Sequence, residues 1–162
     1  MKHIVEKGKT LLVDGPASVS LLSGKVSILG AALKIGEKIV IREGKRVPFG
    51  VGKKAAFDLM LGEGASFEEI DGDTVPPSWE KASKETLSLR KPVTVMVMGG
   101  VDSGKTSFCT YLANEALRKN LKTGIIDADL GQSDVGPPST IGFNRITVPV
   151  KDLFEIRAEN AY

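Results

Sequence analysis

The stretch "VTVMVMGGVDSGKTSFCTYLANEAL", residues 93–117, constrains the fold more than any other. Gly99-x4-Gly104-Lys105-Thr106 has the full P-loop spacing and stands between an apolar run and a helical pattern, the context that motif needs. Its glycines let backbone N–H groups curl around phosphate oxygens. The helix behind it adds the partial positive charge of its N-terminus. Gly99, Gly100, Val101, Asp102, Ser103, Gly104, Lys105, Thr106 and Ser107 are therefore the expected nucleotide cradle. Lys105 is expected to reach the β- and γ-phosphates, and the Thr106 hydroxyl to ligate Mg²⁺.

Such a loop implies α/β grammar from Val93 onward. "VTVMVM" predicts a strand buried on both faces, as in a parallel sheet covered by helices. The next helix carries Phe108, Cys109, Leu112 and Ala116 on one predicted stripe, with Cys109 as a small core residue. "TGIID" predicts a second strand, closing a βαβ unit.

Upstream the pattern differs. Residues 1–72 hold short strand-like runs punctuated by glycine, among them "TLLVDG", "KVSILG" and "EKIVIREG". Such runs predict a β-rich, sandwich-like or barrel-like N-terminal domain. "REGKRVPFGVGKK" is basic and "EGASFEEIDGD" acidic, and both are expected as solvated faces. Residues 73–92 form a connector, "DTVPPSWEKASKETLSLRKP", with a short helix expected from an N-cap at Ser78. Trp79, the single tryptophan, is expected to cover apolar surface between the two parts. Residues 93–162 are the P-loop domain.

Composition narrows the class. A net charge of +2 speaks against a protein held on nucleic acid by bulk electrostatics. One cysteine excludes an internal disulfide and fits a reducing compartment, so a cytoplasmic location is expected. No run approaches the roughly 20 apolar residues of a membrane helix, and no membrane partner is expected.

The end of the second strand refines the chemistry. "IIDADLGQSDVGPPSTIGF" places Asp127, Asp129 and Gln132 where ligands sit in open parallel sheets. Asp127 reads as a carboxylate holding metal or water, or else as a turn cap. Asp129, two residues on and beyond the strand, is expected to face an acceptor hydroxyl.

"GGVDSGKTS" followed by "DADLGQSDVGPPSTIGF" resembles the polynucleotide 5′-hydroxyl kinases of the archaeal type. Eukaryotic relatives of that family work in pre-mRNA 3′-end formation, tRNA splicing and ribosomal RNA processing. "GPASVSLLSGKVSILGAAL" resembles the start of the β-sandwich that precedes the family's P-loop domain. The resemblance implies transfer of the ATP γ-phosphate to a 5′-hydroxyl of RNA, and also DNA, with Mg²⁺ or another divalent cation. It implies the P-loop roles for Lys105 and Thr106, acceptor activation for Asp129 with Asp127 beside it, and the adjacent motif amide for Gln132. A lid with arginines is also implied, yet only Arg145 and Arg157 come late in the chain and neither lies in a motif. The chain therefore reads as an N-terminal portion of such a kinase, with a C-terminal half or an RNA-processing protein as partner. Two rivals stand beside this reading. A different P-loop ATPase, of the dimeric partitioning or metal-insertion group, often has a lysine where Gly100 stands. A nucleotide-holding structural subunit of an RNA-processing complex would keep the loop without turnover.

Overall fold

The computed structural model describes residues 1–101, 103–131, 133–156 and 158–162. The chain divides into two compact units, one of Met1–Ile28 and Ala32–Pro76, the other of Leu29–Ala31 and Pro77–Tyr162.

The first unit is built on one antiparallel sheet. Its strands are β1 (Lys2–Val5), β2 (Lys9–Asp14), β3 (Ala17–Ile28), β4 (Ala31–Leu33), β5 (Lys38–Ile41), β6 (Arg46–Leu61) and β7 (Phe67–Asp71). The path runs β4-β3-β6-β2-β7, with β1 added to β6 and β5 to β3. β6 is the spine: β3 lines one edge, while β2 and β1 pair with its first and second halves. Alternation decides which side chains go inside. Val19 and Leu21 of β3 and Phe57 and Leu59 of β6 are essentially inaccessible, with Leu11, Val13 and Phe49 beside them.

β6 is sharply bent. The rings of Phe49 and Phe57 lie 5.9 Å apart, whereas eight residues of straight strand would separate them by about 26 Å. The bend coincides with register shifts in the β3–β6 ladder between Leu21 and Val26. Gly24 sits at φ 105°, and a Cβ there would lie 2.5 Å from the Lys54 carbonyl oxygen. Only glycine lets the two strands close at this point. The acidic and basic runs pair with each other on this surface, with Arg46 forking onto Asp14 at 2.6 and 2.8 Å and reaching Glu68 at 3.0 Å.

The second unit contains α1 (Pro77–Ser88), α2 (Lys105–Arg118), β8 (Thr123–Asp127), β9 (Gly142–Ile146), a 3₁₀ turn at Leu153–Glu155 and β10 (Asn160–Ala161). α1 opens on Pro77, so Ser78 lies in its first turn rather than at its cap; proline's fixed φ and missing N–H suit the first helical position. Val135, Ile146, Val150, Leu153 and Ile156 form the core, with Cys109, Leu117 and Ile125 against it. Cys109 packs as a core residue, and burial, then the nearby Asp127 charge, push its thiol pKa up.

Two expectations need correction here. The apolar stripe on α2 is broader than read: Thr110, Tyr111, Ala113, Asn114, Glu115 and Ala116 are buried, while Phe108 and Leu112 are only half-buried. Asn114 is satisfied inside by the Leu29 and Val150 carbonyls and the Val150 N–H. More consequentially, the parallel pairing of 93–98 with β8 is not formed among the described residues. β8 pairs antiparallel with β9, and β9 with β10. Residues 93–98 join no ladder, and Met96 and Met98 are each 81% exposed. An all-apolar strand is stable only with strands on its edges and helices over its faces, and no described strand flanks this one. Among the described residues no helix is long and apolar enough to cross a membrane.

Candidate nucleotide and phosphoryl-transfer site

Gly104 ends the loop in the left-handed region, φ 82° and ψ 16°, and as a glycine it offers no side-chain cap to the helix that starts at Lys105. The early N–H groups of a helix have no intrahelical partner, which gives those of Lys105, Thr106 and Ser107 positive polarity. Such an uncapped end is an anion site in waiting. The loop is closed on itself by short contacts. Ser103 Oγ donates to the Gly100 carbonyl at 2.9 Å, and Lys105 Nζ donates to that same oxygen at 2.7 Å. A Cβ at Gly99 would lie 2.5 Å from Ser103 Oγ, so the loop's first glycine is needed for closure. Thr106 is exposed at the head of α2, and its carbonyl accepts from Thr110 Oγ1. Val101 is 80% exposed at the loop's crown.

The second half of the site hangs on Asp127, the last residue of β8. Its Oδ1 accepts from the Asp129 N–H at 3.1 Å. Its Oδ2 accepts from Ser133 Oγ at 3.0 Å, from the Asp134 N–H at 2.7 Å and from the Val135 N–H at 3.1 Å. Partial burial raises the carboxyl's pKa, but the N–H donors of Asp129, Val135 and Asp134 and the Ser133 hydroxyl outweigh it, holding the pKa below the ordinary aspartate range. Asp127 thus organises the 128–136 loop, and it retains lone-pair capacity on Oδ1. Asp129 is exposed, with Oδ1 accepting from the Gly131 N–H at 3.2 Å.

Of the predicted cradle, Gly99, Gly100, Val101 and Ser103 to Ser107 are described. Cys109, one turn into α2, lies close enough to Asp127 to feel its charge. Asp102, Gln132 and Arg157 lie outside the described residues. Arg145 is on β9, opposite Gly124. It helps line a cavity of about 360 Å³ with Ile146, Val148, Val150 and Ile156, which contains no P-loop residue. The sequence reading missed Ser133 and the N–H groups of Asp134 and Val135 as partners of Asp127. The signal available was a serine and an aspartate within a turn's reach of a strand-end carboxylate.

Trp79 was also under-read. It lies against α2 of its own unit, edge-on to Phe108 with centroids 5.3 Å apart and tilted on Tyr111 at 6.3 Å.

A glycine loop closed on itself before a helix, with a carboxylate at the end of the following strand, is the arrangement of a P-loop segment. The comparisons narrow it further. Residues 99–162 match the family described as mRNA cleavage and polyadenylation factor CLP1 P-loop. A polyribonucleotide 5′-hydroxyl-kinase of Pyrococcus furiosus is 42% identical over 83 residues, covering 51% of this chain and 23% of the relative. The polyribonucleotide 5′-hydroxyl-kinase of Methanocaldococcus jannaschii is 41% identical over 45% of this chain and 20% of its own length. The CLP1 homolog of Brugia malayi is 26% identical over 93% of this chain and 38% of its own length. The chain thus spans well under half the length of the curated relatives it matches. Among solved structures, a Clp1p–Pcf11p complex superposes with a TM-score of 0.71 at 19% identity, covering 91% of this chain and 36% of that one. That likeness supports the fold.

Proposed function

We propose that this chain is the N-terminal part of an ATP-dependent polynucleotide 5′-hydroxyl kinase acting on RNA, and also on DNA. The observation that carries the reading is the pairing of an uncapped P-loop helix with a strand-end Asp-x-Asp loop, in a segment whose relatives bear that kinase name. The described strands of the second unit pair antiparallel; the parallel P-loop sheet is completed when residues 93–98 gain strands on their edges.

ATP enters with its phosphates on the N–H groups of Gly99–Ser107. Lys105 exchanges the Gly100 carbonyl for the β- and γ-phosphate oxygens. The 5′-hydroxyl oxygen attacks the γ-phosphorus, the bond to the β–γ bridging oxygen breaks, and ADP leaves. The hydroxyl proton passes to the Asp129 carboxylate. Phosphoryl transfer is mainly positioning and charge stabilisation, which suits a rigid cradle. The residues present fit a hard divalent ion such as Mg²⁺: a hydroxyl at Thr106 and a carboxylate at Asp127, the remaining ligands coming from phosphates and water. Such an ion supplies charge neutralisation at the γ-phosphate. Gln132 is the amide of the sequence motif that also holds Asp129.

A nucleotide-holding subunit without turnover is the second reading, favoured by the fold relatives being seen in a Clp1p–Pcf11p complex. With either reading goes a cytoplasmic location, supported by the single cysteine, and a protein partner or a C-terminal half that completes the protein.

The test measures ATP binding by calorimetry and ³²P transfer from ATP to 5′-hydroxyl RNA and DNA, for wild type and Lys105→Ala. Lys105→Ala should weaken ATP about ten-fold or more, since a charge-assisted bond contributes roughly 1.5–3 kcal/mol. Equal affinity in both proteins refutes the nucleotide site. Binding without transfer, once the chain is completed, selects the structural reading.

A further inference from the structure

From the contacts of its ring, and resting on the reading of residues 99–107 as a nucleotide cradle, we infer that Trp79 is a positioning residue of the P-loop. The indole touches α2 on one stripe. Gly104, Phe108 and Tyr111 recur at the helical spacing that puts side chains on one face. Ring centroids stand 5.3 Å from Phe108 and 6.3 Å from Tyr111, and a Cβ on Gly104 would meet Trp79 Cζ2 at 3.3 Å. The indole is therefore the wall against which the last residue of the loop rests.

That residue is the weakest point of the cradle mechanically. Gly104 stands at φ 82° with no Cβ, no side-chain cap and the loosest backbone of any residue type. Every phosphate-facing N–H of the first turn is aimed by it, because its carbonyl accepts the first helical bond, from the Phe108 N–H at 2.9 Å. A flat ring of this size costs little rotamer entropy and covers the backbone without polar demand. It excludes conformations in which Gly104 swings out and the N–H fan is lost. The ring faces Gly104 and the helix stripe, so it acts through the loop and makes no contact with nucleotide.

The experiment uses this 162-residue chain, in which Trp79 is the single tryptophan. Calorimetric affinities for Mg²⁺·ATP and for inorganic tripolyphosphate are compared in wild type, Trp79→Ala and Trp79→Phe, with circular dichroism to confirm folding and Lys105→Ala as control. Trp79→Ala should weaken both ligands five- to ten-fold and by the same factor. Trp79→Phe, which keeps an aromatic edge on Phe108, should stay within two-fold of wild type. Wild-type tryptophan emission should shift with the calorimetric midpoint, and in Lys105→Ala that midpoint should move to about ten-fold or more higher ligand concentration. A folded Trp79→Ala with wild-type affinity overturns the inference while leaving the nucleotide site standing. Weakening of ATP alone, with tripolyphosphate unchanged, overturns it in favour of a base contact. Wild type that binds neither ligand removes the cradle reading and this inference with it. If Trp79→Ala does not fold, Trp79→Leu replaces it, with the same expected loss and the same refuting result.

Discussion

Replacing Asp127 by asparagine tests whether this carboxylate builds the loop that carries Asp129. In the wild type four donors converge on it: the N–H groups of Asp129, Asp134 and Val135 and the Ser133 hydroxyl. Asparagine has one acceptor oxygen. Turned toward Ser133, Asp134 and Val135, it keeps their bonds in weaker, uncharged form and sets its amide N–H against that of Asp129. Losing charge assistance on those bonds costs about 0.5 kcal/mol each, and a donor facing a donor costs about 1–2 kcal/mol at this half-buried position. The total is about 3 kcal/mol, less whatever solvent repays. Urea unfolding followed by Trp79 emission reads it, because Trp79 and Asp127 belong to the same unit. Acid supplies an internal control. The folded carboxyl's pKa is depressed, so its contribution is present above the unfolded value near 3.8 and is lost as pH falls through the lower folded value. The gap between wild type and Asp127→Asn should therefore be full at pH 7 and shrink below about pH 4. A difference under about 0.5 kcal/mol at pH 7, or one that does not change in acid, refutes the loop-building role.

Asp129→Asn should leave ATP affinity within two-fold and slow phosphate transfer by roughly 10²–10⁴, the scale of a lost acid–base group; ³²P transfer in the completed protein measures it, and a near-normal rate moves the acceptor role to Asp127. Gly24→Ala should destabilise the first unit by more than about 2 kcal/mol, because the new methyl meets backbone 2.5 Å away at a positive φ. Thermal melting monitored by circular dichroism checks this, with an unchanged midpoint as the contrary result.

Much of this protein was legible in the residues. Spacing alone singled out residues 99–107 as the candidate cradle, since glycines, lysine and threonine at those intervals have few uses besides gripping phosphate between a strand and a helix. Alternation and glycine punctuation identified the β-rich first part, and a cysteine on an apolar helix stripe identified Cys109 as core. These features are local, set by side-chain period and by which residues tolerate which φ. What the tertiary structure decided is what depends on partners distant in sequence. "VTVMVM" has a strand's composition, but pairing needs a neighbour, and none of the described strands lies beside it. β6 looks like an ordinary alternating run, yet its bend follows from register shifts against β3 and the close approach at Gly24. Asp127 looks like any strand-end carboxylate until its four donors are counted, and Trp79 looks like generic cover until its ring is found on Gly104. Periodicity reports which face of an element is apolar, whereas the groups that meet there are chosen by the packing of the chain around them.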